Sequence, residues 1–200
     1  MQLLIGTSNK GKIIEMREAL SGLPIEIVTP ADVGITDVPM EEGETFAQNA
    51  GQKARFYYQL SGLATLADDS GIFVEALQNE LGIHTRRWGA GPDVSDHQWI
   101  AFFLERMRSE ENKRARFVCS LCFIDASGNE HLFEGVCDGI ITSEVETDFL
   151  PGLPISACFR PKGHERVYAA LTVEEKNAVS HRGKALKLFS HYLNQFSPRR

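Results

Sequence analysis

The chain has 200 residues, 24% of them charged, with 17 glycines and 8 prolines, a globular balance that excludes a disordered or fibrous protein. This length predicts one domain, or one domain of two lobes, with a sizeable buried core. The formal net charge of −6 and a pI near 5.5 have the wrong sign for a nucleic-acid or anionic-membrane binder, so an anionic ligand would need a local basic cluster.

In chain order, Gln2 to Gly6 reads as a short apolar strand that runs into Thr7-Ser8-Asn9-Lys10-Gly11-Lys12. Ile13, Met16 and Leu20 then recur at helical spacing. Thr45-x-x-Gln48 is a capping box opening a helix with Phe46, Ala50, Ala54 and Tyr57 on one side, and Gly62 is its stop. Leu63 to Ala67 reads as a buried strand ending at Asp68-Asp69-Ser70-Gly71. Ser95-x-x-Gln98 opens a helix whose stripe of Trp99, Phe102, Phe103 and Met107 is core packing. Arg114 to Ile124 and Leu132 to Ile141 are strands joined by a hairpin turn at Asp125 to Asn129. Thr172-x-x-Glu175 caps a short helix, and Ala185, Leu188, Phe189, Tyr192 and Phe196 make the final helix amphipathic. This alternation predicts one continuous α/β domain over residues 1–200. Cys119 and Cys122 form a C-x-x-C on an alternating strand, so they point to opposite faces and read as buried reduced thiols rather than a metal pair. No apolar run approaches the ~18 residues of a membrane helix, and the opening Met1-Gln2-Leu3-Leu4-Ile5 lacks signal-peptide features, which predicts a cytoplasmic address.

Four stations carry chemistry. At Thr7 to Lys12, backbone N–H groups, hydroxyls and ammonium groups could converge on an anion between strand and helix, although a plain polar turn has the same composition. The run Glu41-Glu42-Gly43-Glu44 reads by itself as a solvated turn. The adjacent carboxylates Asp68 and Asp69 stand at a strand's carboxyl end, where open α/β sheets place ligands, with an Asx turn closed by Gly71 as the structural alternative. Lys176 and Ser180-His181-Arg182-Gly183 lie at a helix junction where Arg182 offers a planar fork of donors and His181 a switchable one, or where the residues simply cap a helix.

Taken together, Thr7-x-Asn9-x-x-Lys12, then Glu41-x-Gly43-x-Thr45-Phe46-x-x-Asn49-Ala50-x-x-Lys53-Ala54, then Asp68-Asp69-Ser70-Gly71, then Glu175-Lys176-Asn177 with Ser180-His181-Arg182-Gly183 resemble the inosine/xanthosine triphosphate pyrophosphatase family. The resemblance runs in order from residue 2 to about 193. It implies a long mixed sheet with flanking helices, in two lobes around a central cleft. It also implies a magnesium-dependent homodimer that splits nucleoside triphosphates into monophosphate and pyrophosphate, clearing deaminated purine nucleotides. Carried over, Glu41 and Asp69 would hold Mg²⁺ with Asp68 close by, and Asp69 would be the general base that prepares water. Lys12 and Lys53, with the Thr7 to Lys12 loop (Ser8, Asn9, Lys10 and Gly11 included), would neutralise the triphosphate. Ser70, Lys176, His181 and Arg182 would border the nucleotide.

One segment departs from the family pattern G-F-G-Y-D-P. Here it reads Gly152-Leu153-Pro154-Ile155-Ser156-Ala157, so an aromatic surface and a carboxylate expected on the base side are both absent. Losing a stacking ring costs ~1–3 kcal/mol per base unless Trp88 or Phe149 substitutes. Lined by Leu153, Pro154, Ile155 and Ser156, the base side would then discriminate only shallowly. The alternatives are the same reaction with a changed base preference, or nucleotide binding without turnover. The intact Glu41, Asp68, Asp69 and Lys53 argue against the latter.

Overall fold

The computed structural model describes residues 1–196, apart from Asn79 and Pro92. Its strands are β1 (Gln2–Ile5), β2 (Glu26–Val28), β3 (Thr65–Val74), β4 (Arg114–Ile124), β5 (Glu130–Ile141) and β6 (Phe159–Pro161). The helices are α1 (Lys10–Leu20), α2 (Phe46–Ser61), α3 (Asp96–Met107), α4 (Val173–Val179) and α5 (His181–Phe196). The strands form one mixed sheet in the order β2-β1-β3-β4-β5-β6. β1 is parallel to β2 and β3, and β3 to β6 run antiparallel.

Side-chain alternation along the long strands builds two cores. At one end Leu66, Cys119, Leu121 and Phe123 pack under Met16 and Leu20 of α1 and Ala185, Leu186 and Phe189 of α5. At the other, Ile72, Val74, Ala115, Cys137 and Ile141 meet Trp99, Phe103 and Met107 of α3 together with Ile155, Phe159 and Tyr168. Each fully buried Leu or Phe contributes about 1.5–3 kcal/mol. The even-numbered β3 residues Leu66, Ile72 and Val74 serve both cores from one face, while α2 covers the opposite face over Ala67, Cys122 and Ile124. Strands β3, β4 and β5 contribute to both cores.

The helix ends follow local chemistry. Asn9 caps α1 by accepting from the Lys12 N–H at 3.0 Å, and the boxes at Ser95 and Thr172 close in both directions. At Thr45 only half of the predicted box forms: its hydroxyl accepts from the Gln48 N–H at 3.1 Å, but the Gln48 side chain turns to the Glu44 N–H at 2.7 Å. Gly62 ends α2 with φ 67°. Cys119 and Cys122 lie in different clusters on opposite faces, and burial pushes their thiols up to about 12 and about 11.

Several expectations need correction. Strands β2 and β6 were not foreseen, since three residues are too few to show a period. Phe102 and Leu188, assigned to buried stripes, are exposed. Phe196 belongs to α5, but its side chain lies outside the described residues. The largest difference concerns β3. It does not end before Asp68 but continues to Val74, because antiparallel pairing with β4 carries it on from Thr65↔Ile124 to Val74↔Ala115.

Candidate active site

The cleft follows from where β1 stops. Pairing of β1 with β3 ends at Ile5↔Leu66, and the Gly6 N–H to Leu66 carbonyl bond, 2.8 Å, extends it by one link. From Ala67 onward no strand among the described residues pairs with β3 on that side, and Asp69, Ser70 and Gly71 line a cavity of ≈460 Å³. Asp68 and Asp69 thus lie mid-strand in β3, just past the carboxyl edge of β1; the Asx-turn alternative does not form. Thr7, Ser8, Asn9 and Lys12 line one wall, Glu41, Lys53 and Asp69 another, and Gly152 to Ser156 with His181 and Arg182 a third.

Adjacent residues of a strand point to opposite faces, and the two carboxylates live in different surroundings. Asp69 faces α2. Asn49 Nδ2 donates to its Oδ2 at 3.0 Å, the Ser70 N–H donates to Oδ1 at 3.0 Å, and Lys53 Nζ stands 3.5 Å from Oδ1. Lys53 Nζ also donates to Glu41 Oε1 at 2.8 Å. The fully buried Asn49 accepts the Gly43 N–H at 2.8 Å and so ties the acidic loop to Asp69. Burial, reinforced by the charge of Glu41, raises the Asp69 pKa against the opposing pull of Lys53 and Lys12. The same carboxylates hold the Lys53 ammonium above its ordinary value despite its burial.

Asp68 faces the other way, onto the seam between the two cores. It is 0% exposed, 3.1 Å from Lys12 Nζ and 3.1 Å from Arg182 Nη2. Burial would raise its pKa, but Lys12, Arg182 and Lys53 outweigh this and hold it far below the carboxylate range. Arg182 Nη2 also donates to Ser70 Oγ at 2.9 Å, and Nη1 pairs with Glu15. Lys176 Nζ closes the network on Glu15 Oε1 at 2.6 Å. Burial opposes ionisation of Glu15, yet Arg182 and Lys176 keep its pKa low. Asp68, expected as a third metal carboxylate, therefore has its charge taken up by basic residues across the strand from Asp69. Among the described residues no three His, Cys, Asp or Glu side chains are grouped to hold a metal.

Other expected residues fall unevenly. Lys10 is exposed and does not line the cleft. Part of the loop's backbone is already committed. The N–H groups of Thr7, Asn9, Gly11 and Lys12 bond to Ile5 O, Thr7 Oγ1, Pro151 O and Asn9 Oδ1, so any backbone donation to an anion falls to Ser8 and Lys10 together with the loop's side chains. Gly11 makes a close approach: a Cβ there would stand 2.6 Å from Pro151 O, which is how the 151–156 segment comes to rest against the loop. Ser156 donates its hydroxyl back to Leu153 O at 2.6 Å. His181 stacks on Phe117 at 4.6 Å, and burial together with Arg182 lowers its pKa well below the usual range. That direction favours the neutral ring. Ser180 caps α5 by accepting the Gly183 N–H at 3.0 Å, and α5 packs so tightly on β5 that a Cβ at Gly135 would overlap the His181 carbonyl oxygen.

Sequence reasoning missed Glu15, three residues after Lys12 on α1, and Arg87, which lines the cleft with no partner among the described residues. A smaller cavity of ≈320 Å³ adjoins the cleft and shares Glu15, Ser156, Tyr168 and Arg182 with it.

A mixed sheet whose β3 edge lies open past β1, with a basic turn on one wall of the cleft and a carboxylate of raised pKa on another, defines an α/β protein with a charged cleft. A model of the Ham1 family matches residues 3–192. A dITP/XTP pyrophosphatase of Leptospira interrogans is 36% identical over 185 residues, 92% of this chain and 93% of its own, and one of Desulforamulus reducens is 34% identical over 98% and 96%. A HAM1 protein structure from Coxiella burnetii superimposes with a TM-score of 0.81 at 31% identity, covering 98% of this chain and 99% of its own. The chain belongs to the Ham1 family, in line with the motif resemblance.

Proposed function

We propose that this protein hydrolyses deaminated purine nucleoside triphosphates, such as dITP, ITP and XTP, to the monophosphate and pyrophosphate. The observation that carries the reading is Asp69: a carboxylate of raised pKa, oriented by Asn49 and Lys53, in the cleft that the Thr7 to Lys12 turn borders. A carboxylate shifted toward neutrality and fixed in place suits the acceptance of a proton from water. The names of the Leptospira and Desulforamulus relatives support the same substrate class.

Mg²⁺ fits the residues present. Glu41 and Asp69 are hard oxygen donors that share one ammonium, Lys53, and the Asp69 carboxylate, raised chiefly by burial and then by the charge of Glu41, would be stabilised by a cation beside it. Two carboxylates plus substrate phosphates are a usual magnesium set. When bound there, the ion would polarise phosphoryl oxygens and water. Lys12, Lys53 and Arg87 would neutralise the triphosphate, with the hydroxyls of Thr7, Ser8 and Ser70 as further donors. Asp68 would hold Lys12 and Arg182 in position. Lys176, His181 and Arg182 would border the base. The resemblance further supports a homodimer in the cytoplasm; among the described residues no helix is long and apolar enough to cross a membrane.

The test is phosphate-product analysis across a panel of nucleoside triphosphates with and without Mg²⁺. Pyrophosphate should be the first product, with inosine and xanthosine forms turned over fastest. Orthophosphate as first product, or no product from any nucleotide, refutes the proposal.

A further inference from the structure

The two adjoining cavities differ in chemistry. The larger carries Lys12, Lys53 and Asp69. The smaller holds none of these and combines apolar Leu150, Leu171 and Leu186 with polar Lys176, Asn177 and Ser180. With phosphates against the Thr7 to Lys12 wall, the smaller cavity would offer a base both apolar surface and donors from Lys176, Asn177 and Ser180. Among the described residues two aromatic rings line that smaller cavity, Tyr168 and Phe149. Tyr168 is 2% exposed and is packed by Phe117 at 5.7 Å, Phe159 at 4.8 Å and His181 at 6.0 Å. Phe149 is half-buried and meets one ring, His97 of α3, at 5.0 Å and 49°. Leu153 lines only the larger cavity, with its side chain against Gly11, and Trp88 lines neither, being packed on Trp99, Phe102 and Phe103.

We propose that Phe149, braced by His97, is the surface on which the base of the bound nucleotide stacks. This inference rests on the nucleotide-hydrolase reading and assigns the base platform to a residue four positions before Leu153. Stacking reads the π-face of any base, so Phe149 supplies affinity, and selectivity is left to the polar groups at the rim.

Inosine triphosphate and inorganic tripolyphosphate, titrated calorimetrically in chelator, separate base from phosphate binding. Phe149→Ala should weaken inosine triphosphate about 10- to 100-fold, the scale of one lost base stack, and leave tripolyphosphate unchanged. Phe149→Tyr should bind like the parent, and Leu153→Ala should leave the ratio of the two affinities unaltered. With Mg²⁺ present, Phe149→Ala should raise KM and leave kcat within about threefold, the pattern of lost uniform binding. The inference is overturned if Phe149→Ala binds inosine triphosphate as the parent does, or if it loses both ligands in equal proportion. A parent that discriminates in this assay but releases no pyrophosphate would refute the activity and leave the platform standing. An active parent indifferent to Phe149→Ala would do the reverse.

Discussion

Arg182→Met tests the buried ion network. The guanidinium is 2% exposed, and its carboxylate partners Asp68 and Glu15 are 0% and 8% exposed. Removing it strands two buried charges, but each keeps one ammonium, Lys12 on Asp68 at 3.1 Å and Lys176 on Glu15 at 2.6 Å. Breaking a buried pair costs about 3–5 kcal/mol, and the surviving lysines put the expected loss near the lower end, about 3 kcal/mol. With a urea m-value of about 2 kcal/mol/M, the unfolding midpoint should fall by about 1.5 M at unchanged slope. Arg55→Met, which breaks the exposed pair with Glu130 at 2.7 Å, is the control and should cost under about 1 kcal/mol. The pH dependence adds a second check. In the parent, Asp68 and Glu15 both titrate below their unfolded values, so their contribution is complete above about pH 5 and is lost as pH falls through the folded values. In the variant the stranded carboxylates titrate higher and take up protons first, so the difference between the two proteins should narrow below about pH 4. A difference under about 1 kcal/mol at pH 7, or one independent of pH, would refute the reasoning.

Asp69→Asn should keep the fold and cut turnover at least ~10²-fold, the scale of lost general-base help; stopped-time pyrophosphate assays check it, and a variant as fast as the parent removes that role. Since Asp69 must be ionised to accept a proton and its pKa is raised, the acid limb of the kcat/KM profile should lie above the ordinary aspartate value of about 4. A limb at or below that value contradicts the assignment. Glu41→Gln should raise the Mg²⁺ concentration for half activity, because it removes a ligand charge; an unchanged metal titration counts against it. Gly135→Ala should destabilise by about 1–3 kcal/mol, the cost of overpacking, by pushing the first turn of α5 off β5, and thermal unfolding reads this directly.

Much of the architecture was legible from short-range signals. The caps at Ser95 and Thr172 mark helix starts one residue on, and alternation placed Cys119 and Cys122 on opposite faces. Signals failed where the deciding neighbour is distant in sequence. β3 outruns its apolar stretch because β4 supplies a partner for every residue through Val74. Glu15 looks like any polar helix residue until Arg182, 167 residues away, meets it. Likewise the choice between Trp88 and Phe149 depends on which cavity wall each reaches, and no periodicity encodes that.

The paired aspartates have a consequence for how the gene can change length. One strand separates a carboxylate kept ionised inside the protein from a neighbour whose pKa burial raises in the cleft, and the sheet itself is the partition. Side chains exchange faces with every one-residue slip of register, so a single insertion or deletion between β1 and Asp68 that β3 absorbed by sliding against β4 would swap the two roles. Asp69 would be driven against Arg182, and the residue presented to Asn49 and Lys53 would become Asp68 or Ser70. A turn remote from the cleft, such as Asp125 to Asn129, can take such changes without cost to chemistry; the path into β3 cannot, and length variants placed there should fold with difficulty and fail to turn over.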